Sequence, residues 1–481
     1  MASELKQKTV KGLAWNSIQN FTNHGVEFLL MLFMARLLGP KEYGLIGLTA
    51  IFLAISSTFV NSGFSSALIR KKDCTNDDYS TVFIFNLFIS VLCYFILFLI
   101  APYVGDFYNE PVLCPVLRVL SLQLIIYAFC AVQNTILTKK IDFKKKTKIT
   151  VSKNIISGLI GLLCAFLGYG VWALVIQTLT ASILSSIMLW STTEWYPNLH
   201  FSKNSFKELF DYGSKMLVSN LINTIYGQIY PIVIGKFFSA ATLGNFSRAR
   251  HWANLGSKNL TGILSNVTFP VLAKVQDDDK RLENIYRRMI RTSSFIIFPI
   301  MIGLSAVAKP LTLVAIGEKW EFSAYLLQII CFSMMWYPVH ALNLNLLQVK
   351  GRSDLFLKLE IIKKIMGICI LCFSVPLGIV AMCYFSILSS LISLFINTYY
   401  TGKLINVGFL KQMRDIAPTL ILALIMWGVV LFAIRFIPNI YLQLIVGILI
   451  GAAIYLAGSY LLKFPELKEV LIMYKDIRNR K

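Results

Sequence analysis

Fourteen stretches of mostly apolar sequence, each about 20 residues long and separated by short polar joints, govern what this chain can fold into. They lie near residues 12–35, 44–67, 81–104, 112–136, 149–168, 171–190, 212–235, 245–270, 292–315, 323–347, 361–375, 377–400, 416–437 and 440–462. A helix of about 20 residues rises about 30 Å, the thickness of a bilayer's hydrocarbon core. No soluble interior could take up this much apolar surface: 56% of the 481 residues are hydrophobic, 15% are charged and the mean hydropathy is +0.67. The pattern predicts an all-α integral membrane protein with about 14 transmembrane helices. Pro376 and Gly378 leave only a tight turn between the eleventh and twelfth.

An internal repeat is superimposed on these spans. The first two and the seventh and eighth segments align at an offset of 200 residues, which pairs Asn20 with Asn220, Asn23 with Asn223, Arg36 with Lys236 and Gly44 with Gly244. Two parallel halves whose polar faces meet at the bilayer midplane are a common way to build a substrate path, so the repeat points to transport.

The distribution of lysine and arginine sets the orientation. The amino terminus and every second joint together hold 36 of the 46 basic residues, with seven between Lys139 and Lys153 and six between Lys274 and Arg291. Both termini are therefore expected in the cytoplasm, which requires an even number of spans. This bias and attraction to anionic headgroups account for the net charge of +22, and no pattern for binding nucleic acid accompanies it. The first apolar segment is long, contains several amides and lacks a small-residue cleavage site, so it reads as a retained helix. Cys369 and Cys372 have C-x-x-C spacing, but no further ligand types lie nearby and helix packing accounts for them.

Polar faces within the spans carry the functional signal. Asn16, Asn20, Asn23 and Glu27 follow spacings of four, three and four, with Gln19 and His24 beside them. The seventh span repeats the pattern with Asn220, Asn223, Thr224 and Gln228, joined by Tyr226 and Tyr230. The eighth carries Arg250, Asn254, Ser257, Lys258, Thr261 and Ser265 as one stripe. A charge at mid-bilayer costs about 2.5–3.5 kcal/mol on insertion scales, so such residues face a watery cavity or one another; the amides also suit hydrogen bonds that glue helices together. Arg248, Arg250 and Lys258 are the first candidates for an anionic substrate. Arg36, Lys41 and Lys236 lie near the outer ends of the first and seventh spans, where they could meet a departing headgroup or simply snorkel. Glu27 is the one carboxylate placed deep within a span. It is the candidate for coupling to a proton or sodium gradient, with a structural ion pair or a hydrogen bond to His24 as the alternative. No metal or other cofactor is expected.

Several stretches resemble the Wzx-type polysaccharide flippases of the multidrug/oligosaccharidyl-lipid/polysaccharide exporter superfamily. They are ARLLGPKEYG (Ala35 to Gly44), GFSSALIRKKD (Gly63 to Asp73), LTKKIDFK (Leu137 to Lys144), GVWALV (Gly170 to Val175), Phe269-Pro270 with Gln276-Asp277, and GEKW (Gly317 to Trp320). The eighth span departs from the family's pattern, reading NFSRARHW from Asn245 to Trp252 where a tyrosine and fewer bases are usual. The resemblance implies two pseudo-symmetric six-helix lobes, 1–190 and 211–400, joined by a cytoplasmic linker at 191–210, with two additional helices and a basic tail at 401–481. It also implies a flippase that moves undecaprenyl-diphosphate-linked oligosaccharide from the cytoplasmic to the periplasmic leaflet of the bacterial inner membrane, for capsule, O-antigen, lipopolysaccharide or exopolysaccharide synthesis. A polysaccharide polymerase and an initiating glycosyltransferase are implied as partners.

Two other classes are weighed against it. A multidrug or organic-cation exporter of the same superfamily predicts a cavity of acids and aromatics, whereas this chain offers one deep acid and several bases. A membrane-embedded glycan polymerase or transferase needs a sizeable outer loop or paired catalytic carboxylates. The outer joints are short, with Asp106 and Glu110 only loosely grouped, so the chain does not read as an enzyme.

Overall fold

The computed structural model describes Gly25 and residues 29–61, 63–198 and 200–469, and all regular structure among them is helical. The helices are α1 (29–37), α2 (Pro40–Asn61), α3 (Phe64–Arg70), α4 (Asn76–Tyr108), α5 (Leu113–Leu120), α6 (Leu122–Lys139), α7 (Phe143–Phe166), α8 (Val171–Thr192), α9 (Lys203–Phe237) and α10 (Ala240–Asn254). A π-helical turn, Leu255–Asn259, leads into α11 (Leu260–Ala273). There follow α12 (Asp279–Ala306), α13 (Ala308–Ile316), α14 (Glu321–Met334), α15 (Tyr337–Val349), α16 (Ser353–Ser374), α17 (Ile379–Ile405), α18 (Phe409–Arg435) and α19 (Ile440–Leu461).

Among the described residues, 11 helical stretches are long and apolar enough to cross a membrane. Of the fourteen expected, the first lies mostly outside the described residues. The eighth is interrupted by the π turn, and the eleventh, α16, carries Asp354, Lys358, Glu360, Lys363 and Lys364 along its 22 residues. Several helices also begin well before their apolar windows. Asp142 caps α7 by accepting from the Lys145 amide (3.1 Å), Ser202 caps α9 from Ser205 (3.3 Å), and Asp278 caps α12 from Arg281 (3.0 Å). The window at 292–315 is accordingly corrected to a helix over Asp279–Ala306, with the chain re-entering at α13. The turn after α16 is as expected, with Gly378 in the left-handed half of backbone space at φ +95°.

α4 shows what kind of solvent the fold is built for. Phe88, Leu92, Phe95, Leu99 and Tyr103 recur at helical spacing and are exposed, whereas Ser80, Thr81, Asn86 and Ser90 are buried. Apolar groups outside and small polar groups inside invert the soluble pattern and suit a lipid surround.

The helices form two compact units, Met1–Gly244 and Asn245–Lys481. In the first, α9 runs along α2 and α4, and the segment before it is strapped across the start of α4. Trp195 Nε1 donates to Asn76 Oδ1 (2.6 Å), Asn198 Nδ2 to Asp77 Oδ1 (2.9 Å), and the Ser202 amide to Thr81 Oγ1 (3.0 Å). Lys71 joins the same end, with Nζ 2.9 Å from both Asp78 Oδ2 and Glu208 Oε2. Burial alone would lower the Lys71 pKa; hydrogen bonds to Asp78 and Glu208 outweigh it and hold the ammonium above its ordinary 10.5.

The 200-residue repeat is visible in this unit's geometry. α1 ends at residue 37 and α9 at Phe237; α2 starts at Pro40 and α10 at Ala240. Pro40 fits the first helical position, and the Glu42 carboxylate accepts from the Gly39 amide at 2.8 Å. A Cβ on Gly44 would lie 1.7 Å from the Ala240 carbonyl oxygen, and one on Gly244 would lie 1.9 Å from the Pro40 carbonyl oxygen. The two repeats therefore touch reciprocally, each through a glycine that leaves room for the other's backbone.

The second unit is fastened at its basic end. Arg287 forks onto Asp415 with Nε and Nη2 contacts of 2.7 and 2.8 Å, Arg288 reaches Glu469 at 2.7 Å, and Arg291 reaches Glu466 at 3.2 Å. Beside them, Asn343 and Gln412 exchange side-chain hydrogen bonds of 3.0 and 3.1 Å, and Thr401 donates to Asn343 Oδ1 at 2.6 Å. All three side chains are buried, so this amide pair fixes how α15, α17 and α18 meet.

Candidate functional site

The cationic residues expected in the eighth span lie on α10 and the π turn. The π turn adds a residue to the local helical repeat and so re-aims the side chains that follow. Ser257 turns inward, is fully buried and donates to the Met334 carbonyl at 2.6 Å, while Lys258 beside it is exposed. Lys258 Nζ lies 5.5 Å from the Tyr337 ring centroid and within electrostatic reach of Arg250. Arg250 is half-buried, its guanidinium 6.0 Å from the Phe246 ring. The half-buried Asn254 has a shielded Oδ1 that accepts no protein hydrogen bond. Arg250, Asn254 and Lys258 thus span the approach to the π turn. Two positive charges within electrostatic reach of each other suit an anion.

The other expected residues are placed differently. Arg248 is buried, with its guanidinium 5.2 Å from the ring of the fully buried Trp320, so it packs within the second unit, and the single stripe expected over this span is divided between faces. Thr261 is buried as well. On α9, Asn220 and Asn223 are exposed and Gln228 is half-buried, while Thr224 Oγ1 meets Thr58 Oγ1 of α2 at 3.1 Å. Lys41 is ion-paired with Glu110 at 3.2 Å. Lys236 donates to the Phe107 carbonyl at 2.8 Å with its ammonium 3.9 Å from the Phe107 ring. Both lysines therefore brace the end of α4. Arg36 is exposed. Asn20, Asn23 and Glu27 lie outside the described residues. Cys369 and Cys372 are free and exposed on α16, so packing inside the bundle does not account for them.

Reading the sequence missed a second polar site, a cavity of about 300 Å³ in the first unit. α6 contributes Tyr127, Cys130 and Asn134; α7 contributes Lys146, Ile149, Thr150 and Lys153; α8 contributes Ser182, Ser185 and Leu189. Each set has the i, i+3 or i+4, i+7 spacing of one helical face. The signal was available in the spacing of Lys146, Thr150 and Lys153, but these lysines were counted only toward orientation. Lys146 Nζ donates to Thr138 Oγ1 at 2.9 Å, and Tyr127 donates to Asn61 Oδ1 at 2.8 Å. A neighbouring cavity of about 420 Å³, between α2, α5, α6 and α8, shares Tyr127 and Ser182 with it; half of its lining side chains are aliphatic, among them Ile46, Leu53, Leu120 and Leu124.

A broken helix, buried polar faces and 11 helical stretches long and apolar enough to cross a membrane define, among the described residues, a multi-span membrane transporter fold. The chain superimposes on the lipid II flippase MurJ in its inward closed conformation with a TM-score of 0.73, covering 96% of this chain and 99% of that one at 15% identity. It belongs to the polysaccharide biosynthesis protein family, whose sequence profile matches residues 33–325. Similar relatives include the lipopolysaccharide biosynthesis protein WzxC of Escherichia coli, 24% identical over 75% of this chain and 73% of that one. The teichuronic acid biosynthesis protein TuaB of Bacillus subtilis is 24% identical over 97% of this chain and 98% of that one.

Proposed function

We propose that the protein is a flippase that carries undecaprenyl-diphosphate-linked oligosaccharide repeat units from the cytoplasmic to the periplasmic leaflet of the inner membrane, for assembly of a surface polysaccharide. The observation that carries this reading is membership of the polysaccharide biosynthesis family, with Arg250 and Lys258 within electrostatic reach of each other at the π turn. The names of WzxC and TuaB, and the likeness to a lipid II flippase, support the same substrate class.

In this reading Arg250 and Lys258 hold the diphosphate, Asn254 and the amides of α9 meet sugar hydroxyls, and the prenyl chain stays in lipid. The lobes, assigned to 1–190 and 211–400 with the helices of 401–481 appended, alternate between the two faces with both termini in the cytoplasm. Glu27 is the proposed coupling residue. An ion that it carried through the field would add about 2.3 kcal/mol per charge per 100 mV. A polymerase and an initiating glycosyltransferase of the same pathway are the proposed partners.

The test is complementation of a deletion strain. Arg250→Ala or Lys258→Ala, inserted at wild-type level, is expected to leave the lipid-linked repeat unit trapped on the cytoplasmic leaflet. Normal surface glycan with either variant would overturn the assignment of the cations. Normal glycan in the deletion strain itself would overturn the flippase reading. For Glu27, unchanged transport and ion dependence in Glu27→Gln would remove the coupling role.

A further inference from the structure

We propose that the cavity between α6, α7 and α8 is a binding site for the phosphate head of a membrane amphiphile, with Lys146 and Lys153 as its cationic contacts. The naming of a prenyl diphosphate as one such amphiphile rests on the flippase reading.

The position of Lys153 is the first argument. It stands ten residues into α7 and about 6 Å, at 1.5 Å per residue, beyond the start of the apolar stretch at residue 149. Lys144, Lys145 and Lys148 precede the apolar stretch, whereas Lys153 lies within it. A cation within an apolar stretch is favoured on a face that carries other polar groups, and this face of α7 lines a polar cavity. Lys146 lies two turns away on the same face, and both line one cavity. Opposite them stand Asn134 and Ser185, which supply donors to the remaining oxygens of a phosphate, beside Ser182, whose hydroxyl donates to the Thr178 carbonyl at 3.0 Å. Among the described residues, Lys146 Nζ donates to Thr138 alone. At about 300 Å³ the cavity is at the small end of ligand sites, suited to a headgroup rather than a glycan chain.

The second argument is the order of polarity. Through Tyr127 and Ser182 the polar cavity adjoins the larger and more apolar one, which reaches Leu53, Leu120 and Leu124. Lys146 and Leu189 lie toward the basic end of the bundle, and Leu120 toward the opposite end. A lipid of the leaflet at the basic end has its head at that end and its chain directed toward mid-membrane, which is the same order. Phospholipid and prenyl diphosphate share this chemistry.

The experiment measures binding of farnesyl diphosphate, farnesol and phosphatidylglycerol to the purified full chain in neutral detergent by native mass spectrometry. Lys146→Gln and Lys153→Gln are each expected to weaken the phosphate-bearing probes by about tenfold or more, the worth of one charge-assisted hydrogen bond. Lys148→Gln, which removes the same charge from an exposed position on the same helix, should bind as wild type. Ser185→Leu, which fills the cavity without changing charge, should also weaken binding and serves if a lysine variant fails to fold. Preference for farnesyl diphosphate assigns the site to a lipid-linked carrier, and preference for phosphatidylglycerol assigns it to bulk lipid. Equal binding by wild type and the cavity variants, or an equal loss in Lys148→Gln, overturns the site. Binding is read without transport, so loss of binding in Lys153→Gln stands even if the deletion strain keeps its surface glycan, which would reject the flippase reading alone.

Discussion

Replacing Gly44 by alanine tests the reciprocal crossing of the repeats most sharply, because two general effects then act in opposite directions. Alanine favours a helix over glycine by about 1 kcal/mol, so at an open position the substitution stabilises. At Gly44 the added Cβ would lie 1.7 Å from the Ala240 carbonyl oxygen and 2.4 Å from its carbon, and ordinary contact begins near 3.4 Å, so the backbones must part by roughly 1.7 Å. No rotamer relieves this, since the obstacle is main chain. Overpacking of this kind costs about 1–3 kcal/mol, or about 2–12 °C in melting temperature for a unit of this size. Gly428, in the interior of α18 with nothing within 4 Å of its added Cβ, is the control, and there alanine should leave the melting temperature unchanged or raise it by up to about 4 °C. The eight tryptophans allow both melts to be followed by intrinsic fluorescence in detergent. Gly44→Ala and Gly244→Ala together should cost less than the sum of the two, since the first already opens the crossing used by the second. A rise in melting temperature for Gly44→Ala matching that of Gly428→Ala would refute the close approach.

Further outcomes follow from the ion pairs and the buried amides. Arg287→Ala should destabilise by about 1.5–3 kcal/mol, and Arg287→Lys should recover only part of this because an ammonium cannot fork onto Asp415; equal melts of the two variants would count against the bidentate pair. Gln412→Leu should cost about 1–3 kcal/mol by removing one partner from each end of the buried Asn343 amide, which keeps Val339 and Thr401, and Asn343→Leu with Gln412→Leu should cost less than the sum of the two single variants; an additive loss would deny the exchange of hydrogen bonds. The pKa of Lys71 is raised on folding, so the stability its cluster contributes is fully present below 10.5 and is lost as pH climbs through the higher folded value. Lys71→Met should therefore change the melt by the same amount across the neutral range, and a difference that grows on acidification would contradict this.

How much of this was legible in the sequence depended on which physical quantity each pattern reports. Apolar windows record where lipid meets the chain, so they located the spans but missed the polar helical turns beyond the hydrocarbon. The first turns of α7, α9 and α12 became visible only with their caps at Asp142, Ser202 and Asp278. The 200-residue offset, read from a handful of residues, reappears in the helix boundaries themselves. Periodicity failed across the π turn, because a stripe drawn at 3.6 residues per turn cannot anticipate an inserted residue, and Ser257 and Lys258 part company there. Arg248 was grouped with Arg250 by proximity in sequence, yet at two positions apart they occupy different faces, one against Trp320 and the other near Phe246. Lys146 and Lys153 were overlooked because a rule about orientation already accounted for their charge.

The contact between residues 40 and 244, mirrored by that between 240 and 44, has the form of an interface between identical subunits related by a two-fold axis. A half-length chain carrying one copy would present at this crossing both the glycine and the backbone that meets it. Joining two copies in one polypeptide keeps that contact while releasing each copy from identity. Positions 36 and 236, and 40 and 240, have diverged to Arg and Lys and to Pro and Ala. Positions 44 and 244 have not: each must admit the other copy's backbone, so glycine is the residue on which the two copies still agree.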